Sequence, residues 1–497
     1  MPGFSGNFAL VTVSLLVGWI ALWPCRRLLG AWGYHLAAYP IGLLAWPVGA
    51  ALTEVTGGLY QLGIAALAAV LVALVGSLTC WFVASGHGDA SVPTWTWFAH
   101  GAVVLGLAGV FSAAGYSVLG YDSVFHYEMW GLWLFDTGRL TLRIVGAYGM
   151  FLPSMHAANR AFGGDWTFVV YPVMAAHLLA LLGYALWRTL PAALTRAWGV
   201  AIVSATLVLL ATTSPFLFHT LNVHSHMASA MYFTLAIIGV YEAFLGLGKI
   251  ADKTALAWSL VAGLSLGGFA LLRTDGFAYA VVVLALAAVL NMVDPNPRRL
   301  LALHGGLYAV IAITYGAAFI GLGVWHEDRM SGKMAGTVIV LTLLISAASY
   351  AGPWFSRWFR NRQTLLLTVV GLNFAAIVGA YVLRPAGFEV AMTNMVGNLA
   401  SAGGYGFLWY FIAGSALVTL VLRQGWADHE WTDYALYAFF QFFAIAVIVH
   451  GLVHEGRLSR ADSFSRLAFH AVPLFFWYLG TVGGGLVQTL TGPRSTR

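Results

Sequence analysis

Apolar stretches long enough to cross a membrane recur along the whole length of this chain. As a helix, a stretch of about 17–25 such residues spans the ~30 Å hydrocarbon core of a bilayer. Only 8% of the residues are charged, whereas soluble domains carry about 25%. The chain has too few charges to cover a water-facing surface of its size. We therefore predict an all-α fold, a polytopic transmembrane helical bundle.

We expect about 13–15 spans, with boundaries good to a few residues. The predicted spans are 8–24, 35–53, 59–83, 95–119, 166–187, 198–217, 226–246, 256–272, 277–292, 301–323, 336–353, 364–384, 406–422, 433–452 and 467–488.

The distribution of basic residues predicts how these spans are oriented. No basic residue precedes the first apolar segment, and Arg26 and Arg27 follow it directly, which is the reverse of a secretory signal. When the spans alternate from an external N-terminus, most Lys and Arg residues fall on one side, which the positive-inside rule assigns to the cytoplasm. These basic turns indicate topology rather than nucleic-acid binding, so we expect no nucleic-acid partner.

The longest polar interruption, residues 120–165, falls on the opposite, non-cytoplasmic side. Asp122 and Ser123 are typical of a helix start, and Gly138 is placed to end that helix. We predict an interfacial helix between them, with one apolar face formed by Phe125, Trp130, Trp133 and Leu134. A second short amphipathic helix is predicted in SMHAANRAFGG, which contains His156.

Asp122 is the strongest candidate for a catalytic residue. His126 follows one turn later and is predicted to share its face, whereas Glu128 is predicted to turn away from that pair. A carboxylate at the mouth of a membrane cavity is well placed to act as a general base. The alternative is that Asp122 is a solvated helix cap and His126 an interfacial ring.

Two arginines are candidates for binding an anionic headgroup. Arg273 and Asp275 lie in a tight RTDG hairpin between two apolar runs, where charges are costly unless they face a cavity or each other. In the functional alternative, Arg273 contacts the phosphate of the headgroup and Asp275 holds the arginine in place. In the structural alternative, the two residues form an ion pair that closes the turn. Arg384 ends a span and would either meet a lipid phosphate or extend toward the interface.

A histidine cluster raises the question of a metal. His219, His224 and His226 lie together in the sequence, and with Asp122 and His126 they could bind a divalent cation such as Mg²⁺, Mn²⁺ or Ca²⁺. Polar ligation of a sugar is an equal alternative. The metal ligands we predict are Asp122, His126, His224 and His226, with no cofactor otherwise expected.

Taken in order, these features resemble the GT-C superfamily of integral membrane glycosyltransferases. In that family an acidic residue opens a juxtamembrane helix in the first large outer loop. An aromatic residue or His follows four residues later, and a Gly ends the helix. The corresponding residues in YDSVFHYEMWGLWLFDTGRL are Asp122, His126 and Gly138. FLPSMHAANRAFGGDWTFVV resembles the Pro-containing segment and "FG" turn that come next, and RTDG resembles a later R-x-E/D-G element.

The resemblance implies a domain organisation: extra N-terminal spans at 1–94, a GT-C-like catalytic core at 95–323 and C-terminal spans at 324–497. Two departures bear on it. Many members have two adjacent acidic residues where this chain has Asp122 and Ser123, and three extra predicted spans precede the core here.

The resemblance also implies a function. The chain would be an inverting glycosyltransferase that moves a hexose or pentose from a polyprenyl-phosphate donor to a glycan, lipid or protein hydroxyl. Asp122 would be the base, while Arg273, Asp275, Arg384, His126, Glu128 and His156 would bind substrate or phosphate. Such a protein would reside in the bacterial inner membrane, with its site on the periplasmic or extracellular side.

Two other classes remain open. A lipid-linked glycan flippase or transporter would need ionisable residues near the bilayer midplane, and the predicted span interiors are nearly free of charge. An envelope glycan polymerase or ligase would carry its active loop late in the chain, where the loops here are less organised.

Overall fold

The computed structural model describes residues 4–84, 92–114, 123–141, 149–244, 252–273, 276–293, 295–316, 343–344, 346–351, 354, 362–397, 408–412, 414–415, 430–452 and 463–491. Every regular element among these residues is helical, with no β-strand. The principal helices are α1 (Phe4–Leu22), α2 (Arg26–Leu43), α3 (Ala45–Thr56), α4 (Leu62–Ala84), α5 (Thr94–Ala114), α6 (Met129–Thr137), α7 (Phe151–Ala161), α8 (Val170–Thr189), α9 (Arg196–Ala211), α10 (Ser214–Leu221), α11 (Ser225–Phe244), α12 (Asp252–Leu272), α13 (Gly276–Val293), α14 (Pro297–Ile311), α15 (Arg362–Leu383), α16 (Pro385–Gly397), α17 (Glu430–Leu452), α18 (Ser463–Ala468) and α19 (Val472–Thr491).

The described helices confirm a polytopic helical bundle. Eight are long and apolar enough to cross a membrane, or up to ten if each of two sharply bent pairs is one span. The pair α9–α10 bends by 69° and the pair α15–α16 by 119°. Parts of the predicted spans 336–353 and 406–422 lie outside the described residues.

The predicted span 35–53 is divided in the structure. Helix α2 begins earlier, at Arg26, and is itself kinked at Gly30, whose backbone is not helical (φ 72°, ψ 165°). Helix α3 starts at Ala45 after a break at Leu44. Pro40 lies inside α2, and Pro47 lies in the first turn of α3. Proline has no backbone N–H to donate and its ring crowds the preceding turn, so two prolines this close favour a break.

The chain folds into two compact units, each discontinuous in sequence. The first unit comprises Met1–His177 and His219–Arg357, and the second comprises Leu178–Phe218 and Trp358–Arg497. The organisation implied by the GT-C resemblance, at 1–94, 95–323 and 324–497, stays a prediction.

Small residues allow the helices of the first unit to pack closely. A side chain at Gly18 of α1 would collide with the backbone of Ala38 in α2. In the same way, Gly263 of α12 lies against the backbone of Leu303 in α14. Within a membrane, where lipid removes much of the hydrophobic driving force, such close backbone contact is a principal source of helix association.

The second unit is held by contacts of α19 and α17. Trp477 of α19 donates from its indole nitrogen to the Thr189 hydroxyl at 3.1 Å, and the Thr189 and Thr481 hydroxyls lie 3.3 Å apart. Phe388 of α16 packs with Val447 of α17 in a small apolar cluster.

Candidate functional site

The helix predicted after Asp122 is present. A π-helical segment, Ser123–Glu128, leads into α6. Gly138 ends α6 with a positive φ of 65° and donates its N–H to the carbonyl of Leu134 at 2.9 Å. The left-handed conformation favours glycine, and a side chain there would also collide with Gly58. The predicted C-terminal cap is therefore confirmed, while Asp122 itself lies just outside the described residues.

The predicted single apolar face is wrong. Leu134 is fully buried, whereas Phe125 and Trp133 are each 46% exposed. Phe125 belongs to the π-helical segment, whose wider turn changes the register of side chains relative to α6. The same segment buries both His126 and Glu128. Whether Glu128 turns away from the Asp122–His126 pair stays a prediction, because Asp122 lies outside the described residues.

The second predicted helix, α7, is present but buried inside the first unit. Residues 151–159 are all buried. Gly131 of α6 lies so close to α7 that a side chain there would collide with the Cβ of His156. The segment after α7 is held by Asn7 of α1, whose amide donates to the carbonyl of Trp166 at 2.6 Å. Helix α7 is therefore a core element and not an interfacial one.

Burial of α7 brings four ionisable side chains into one network. The carboxylate of Glu128 accepts a hydrogen bond from Nδ1 of His156, and its other oxygen lies 3.4 Å from Nη2 of Arg160. On the far side of the imidazole, Nε2 of His156 lies 3.0 Å from the hydroxyl of Tyr171. We call these four residues, Glu128, His156, Arg160 and Tyr171, the carboxylate network.

The contacts of the carboxylate network are buried. The side chain of Glu128 is only 5% exposed and that of His156 is fully buried, so water screens their attraction weakly. With Nδ1 donating to the carboxylate, Nε2 of a neutral ring accepts from the Tyr171 hydroxyl. Arg160 adds a positive charge beside the pair, and its buried Nε has no hydrogen-bond partner among the described residues.

The predicted histidine cluster is also buried in the first unit. The rings of His224 and His226 stack with centroids 4.2 Å apart, and His219 lies 5.0 Å from His226. The cluster reaches the π-helical segment through Tyr127, whose ring centroid is 5.5 Å from that of His224. Among the described residues no group of three or more His, Cys, Asp or Glu side chains is arranged to hold a metal ion. The predicted set includes Asp122, outside those residues, so the divalent cation stays a prediction.

The two helices that flank the predicted RTDG hairpin are present, while Thr274 and Asp275 lie outside the described residues. Helix α12 ends at Leu272 and α13 begins at Gly276, with the Gly276 N–H donating to the carbonyl of Arg273 at 2.9 Å. Gly149, just before α7, packs against the backbone at Arg273 with a positive φ of 71°. Arg273 therefore lies close to the residues that immediately precede α7. Asp275 is outside the described residues, and its role in holding Arg273 stays a prediction.

Arg384 has a defined structural contact in the second unit. It lies between α15 and α16, and its guanidinium donates to the carbonyl of Leu452 at the end of α17 at 2.7 Å. Cationic donors at this position satisfy the unpaired carbonyls of a helix C-terminus. Its predicted phosphate contact stays a prediction.

An apolar cavity of about 490 Å³ lies within the first unit. Helices α1, α3, α4, α12 and α14 contribute most of its wall, which is apolar apart from a few groups such as Thr79 and Cys80. Leu264 of α12 lines the cavity, nine residues before Arg273. That separation is about 14 Å along a helix.

Sequence reasoning missed part of the buried polar chemistry. Arg160 follows His156 by four residues, a spacing that places both on one helix face, and this could have linked Arg160 to the site. His35, His100 and His177 stand singly within apolar spans and were passed over. An ionisable residue inside a span is itself a signal of function.

The chain was compared with protein-family models, with curated proteins and with solved structures, and none of them matches it.

Proposed function

We propose that this chain is an inverting membrane glycosyltransferase that takes a sugar from a polyprenyl-phosphate-linked donor. The acceptor is a hydroxyl of a glycan, lipid or protein, and the reaction takes place at the non-cytoplasmic face. The observation that carries the proposal is the carboxylate network, in which the carboxylate of Glu128, six residues after the predicted base Asp122, contacts the imidazole of His156 and the guanidinium of Arg160.

The proposed reaction is a single displacement. The acceptor oxygen attacks the anomeric carbon as Asp122 takes the hydroxyl proton, and the bond from that carbon to the donor phosphate breaks. The phosphate leaves with the bonding electron pair, so no acid needs to protonate it. One displacement at the anomeric carbon inverts its configuration.

Positive charge at the developing phosphate dianion is the main stabilising term that such a site must supply. Arg160 and Arg273 are the described arginines that support this role. Arg160 keeps 21% of its side chain exposed beside its 3.4 Å contact with Glu128, and Arg273 lies beside Gly149 at the start of the α7 region. Glu128, which also contacts His156, holds Arg160 through this contact.

The apolar cavity supports a lipid-linked donor. Its volume and apolar lining suit a segment of isoprenoid chain. If the donor phosphate binds at Arg273, its isoprenoid chain has to extend about 14 Å along α12 to reach Leu264.

The proposal is tested by a transfer assay in membranes that contain the full chain, with a panel of radiolabelled polyprenyl-phosphate sugars. Asp122→Asn is expected to lower transfer by about 100-fold or more, because general-base catalysis supplies that order of rate. Asp136→Asn, which changes an exposed carboxylate of α6, is the matched control and is expected to transfer normally.

Near-normal transfer by Asp122→Asn would remove Asp122 as the base. Movement of the donor across the bilayer with its sugar–phosphate bond intact would replace the transferase with the flippase alternative. Arg273→Ala is expected to weaken donor binding, and an unchanged donor affinity would assign that arginine to the turn alone.

A further inference from the structure

A second buried polar cluster runs through helices of the first unit that carry no carboxylate. His35 and Tyr39 of α2, His100 of α5 and His177 of α8 form it, and we call these four residues the histidine file. The ring of His100 lies 5.3 Å from that of His35 and 5.3 Å from that of His177, centroid to centroid. The ring of Tyr39 stacks on that of His177 at 4.6 Å.

Much of the hydrogen-bonding capacity of the histidine file is unused. Both ring nitrogens of His100, Nε2 of His177 and the hydroxyl of Tyr39 have no partner among the described residues. These side chains are 0–7% exposed. Buried polar groups are nearly always paired, so such a group of unpaired atoms requires an explanation. Neighbouring rings at these separations can exchange a hydrogen bond through one water.

One end of the file is tied to a hydrogen-bonded chain of fixed direction. The Trp19 indole donates to Nδ1 of His35 at 3.1 Å, so the ring hydrogen is on Nε2, which donates to the Thr96 hydroxyl at 2.9 Å. Thr96 donates in turn to the carbonyl of Pro93 at 2.7 Å. This end of the file is therefore next to the first turn of α5.

The other end leads to the carboxylate network. Tyr171 lies on α8 six residues before His177, about 9 Å along the helix, and its hydroxyl contacts His156. Helix α1 contacts both ends of the file and gives their separation. Asn7 contacts Phe168, just before Tyr171, and Trp19 contacts His35. Twelve residues of helix correspond to about 18 Å, more than half of the ~30 Å hydrocarbon core.

We propose that the histidine file conducts protons between the Thr96 end and the Tyr171 end of the first unit. His35 takes up a proton at Nδ1 when the Trp19 indole releases that nitrogen, and its Nε2 then gives up its own proton. His100 and His177 likewise gain a proton at one ring nitrogen and release the proton of the other, and Tyr39 accepts one proton as it gives up its own. Each group is neutral again after each transfer. One proton enters at one end of the file, one leaves at the other, and no electron moves.

A mobile proton fits the file better than a stored one. Helices α1, α2, α5 and α8 contain no Asp or Glu, so a resident imidazolium would be an unpaired buried charge, which is costly. The other titratable groups on these helices that border the file are Tyr34, whose ring lies 5.1 Å from that of His35, and Tyr171. Metal binding is not favoured, because the described histidines do not form a ligand group.

The test uses the purified full chain in liposomes that contain a pH-sensitive dye, with a potassium diffusion potential set by valinomycin. Wild-type protein is expected to carry protons faster than protein-free liposomes. His100→Gln is expected to lower that rate by about tenfold or more, because an amide cannot gain one proton while it releases another. His304→Gln is the matched control, since His304 is a buried span histidine that contacts Tyr350 at 3.2 Å.

Wild-type liposomes no more permeable to protons than empty ones would overturn the proposal, as would an unchanged rate for His100→Gln. If His100→Gln does not fold, His177→Gln is read in its place with the same two outcomes. The measurement needs no sugar donor, so its result is independent of the transferase proposal.

Discussion

Two of the buried polar clusters of the first unit, the carboxylate network and the histidine file, differ in how far their hydrogen bonds are satisfied. In the carboxylate network, each oxygen of Glu128 and each ring nitrogen of His156 has a partner. In the histidine file, both ring nitrogens of His100 have none among the described residues. Satisfied, charge-assisted bonds fix a geometry and stabilise it, whereas unsatisfied neutral groups remain free to exchange partners. The first cluster is therefore suited to positioning groups and the second to passing protons.

The largest expected effect on stability is that of a substitution at His156, and its absence would contradict this comparison. His156→Ala would leave the Glu128 carboxylate buried with only a long contact to Arg160, and removing one partner of a buried pair costs roughly 3–5 kcal/mol. We expect a clearly lower temperature of thermal unfolding in detergent. Asp136→Asn, on the exposed side of α6, is the control, and equal melting of the two variants would show that the carboxylate network does not stabilise the fold.

Gly131 tests how tightly α6 is held on α7. Gly131→Ala would force a methyl group into the Cβ of His156 and leave it about 3.1 Å from the carbonyl oxygen of Pro153. Overpacking of this kind costs typically 1–3 kcal/mol. Gly106→Ala of α5 has open space around the new methyl group and is expected to be neutral or slightly stabilising. If both variants unfold alike, the close packing of α6 on α7 is wrong.

The smallest expected effect on stability comes from two matched tyrosines, one in each cluster. Tyr171 and Tyr39 are both fully buried, but only the Tyr171 hydroxyl contacts a described side chain, that of His156. Tyr171→Phe is expected to lower the free energy of unfolding by about 1 kcal/mol, the net contribution of one hydrogen bond. Tyr39→Phe is expected to cost less, while slowing proton transfer in the liposome assay. Equal losses of stability would remove the distinction between the clusters.

The sequence predicted the elements better than their environment. Apolar runs identified α11 and α12 to within a few residues, and Gly138 marked the end of α6, because length, apolarity and a left-handed turn are local properties. The burial of α7 could not be predicted in this way. Whether an amphipathic helix lies at an interface or in a core depends on what packs against it, and here Gly131 lets α6 approach from a distant part of the loop.

The site was predicted in part for the same reason. His156 and Glu128 were named as substrate-binding residues, but their direct pairing depends on a contact across 28 residues. The histidine file assembles single residues from α2, α5 and α8, which no local pattern connects. The two arginines predicted to bind phosphate belong to different units, Arg273 to the first and Arg384 to the second.

The most direct test of the account is an experimental structure of the full chain with a polyprenyl phosphate bound. The account predicts phosphate density within hydrogen-bonding distance of Arg160 or Arg273 and isoprenoid density in the apolar cavity near Leu264. Phosphate density at another part of the molecule, with the cavity empty of lipid, would contradict it.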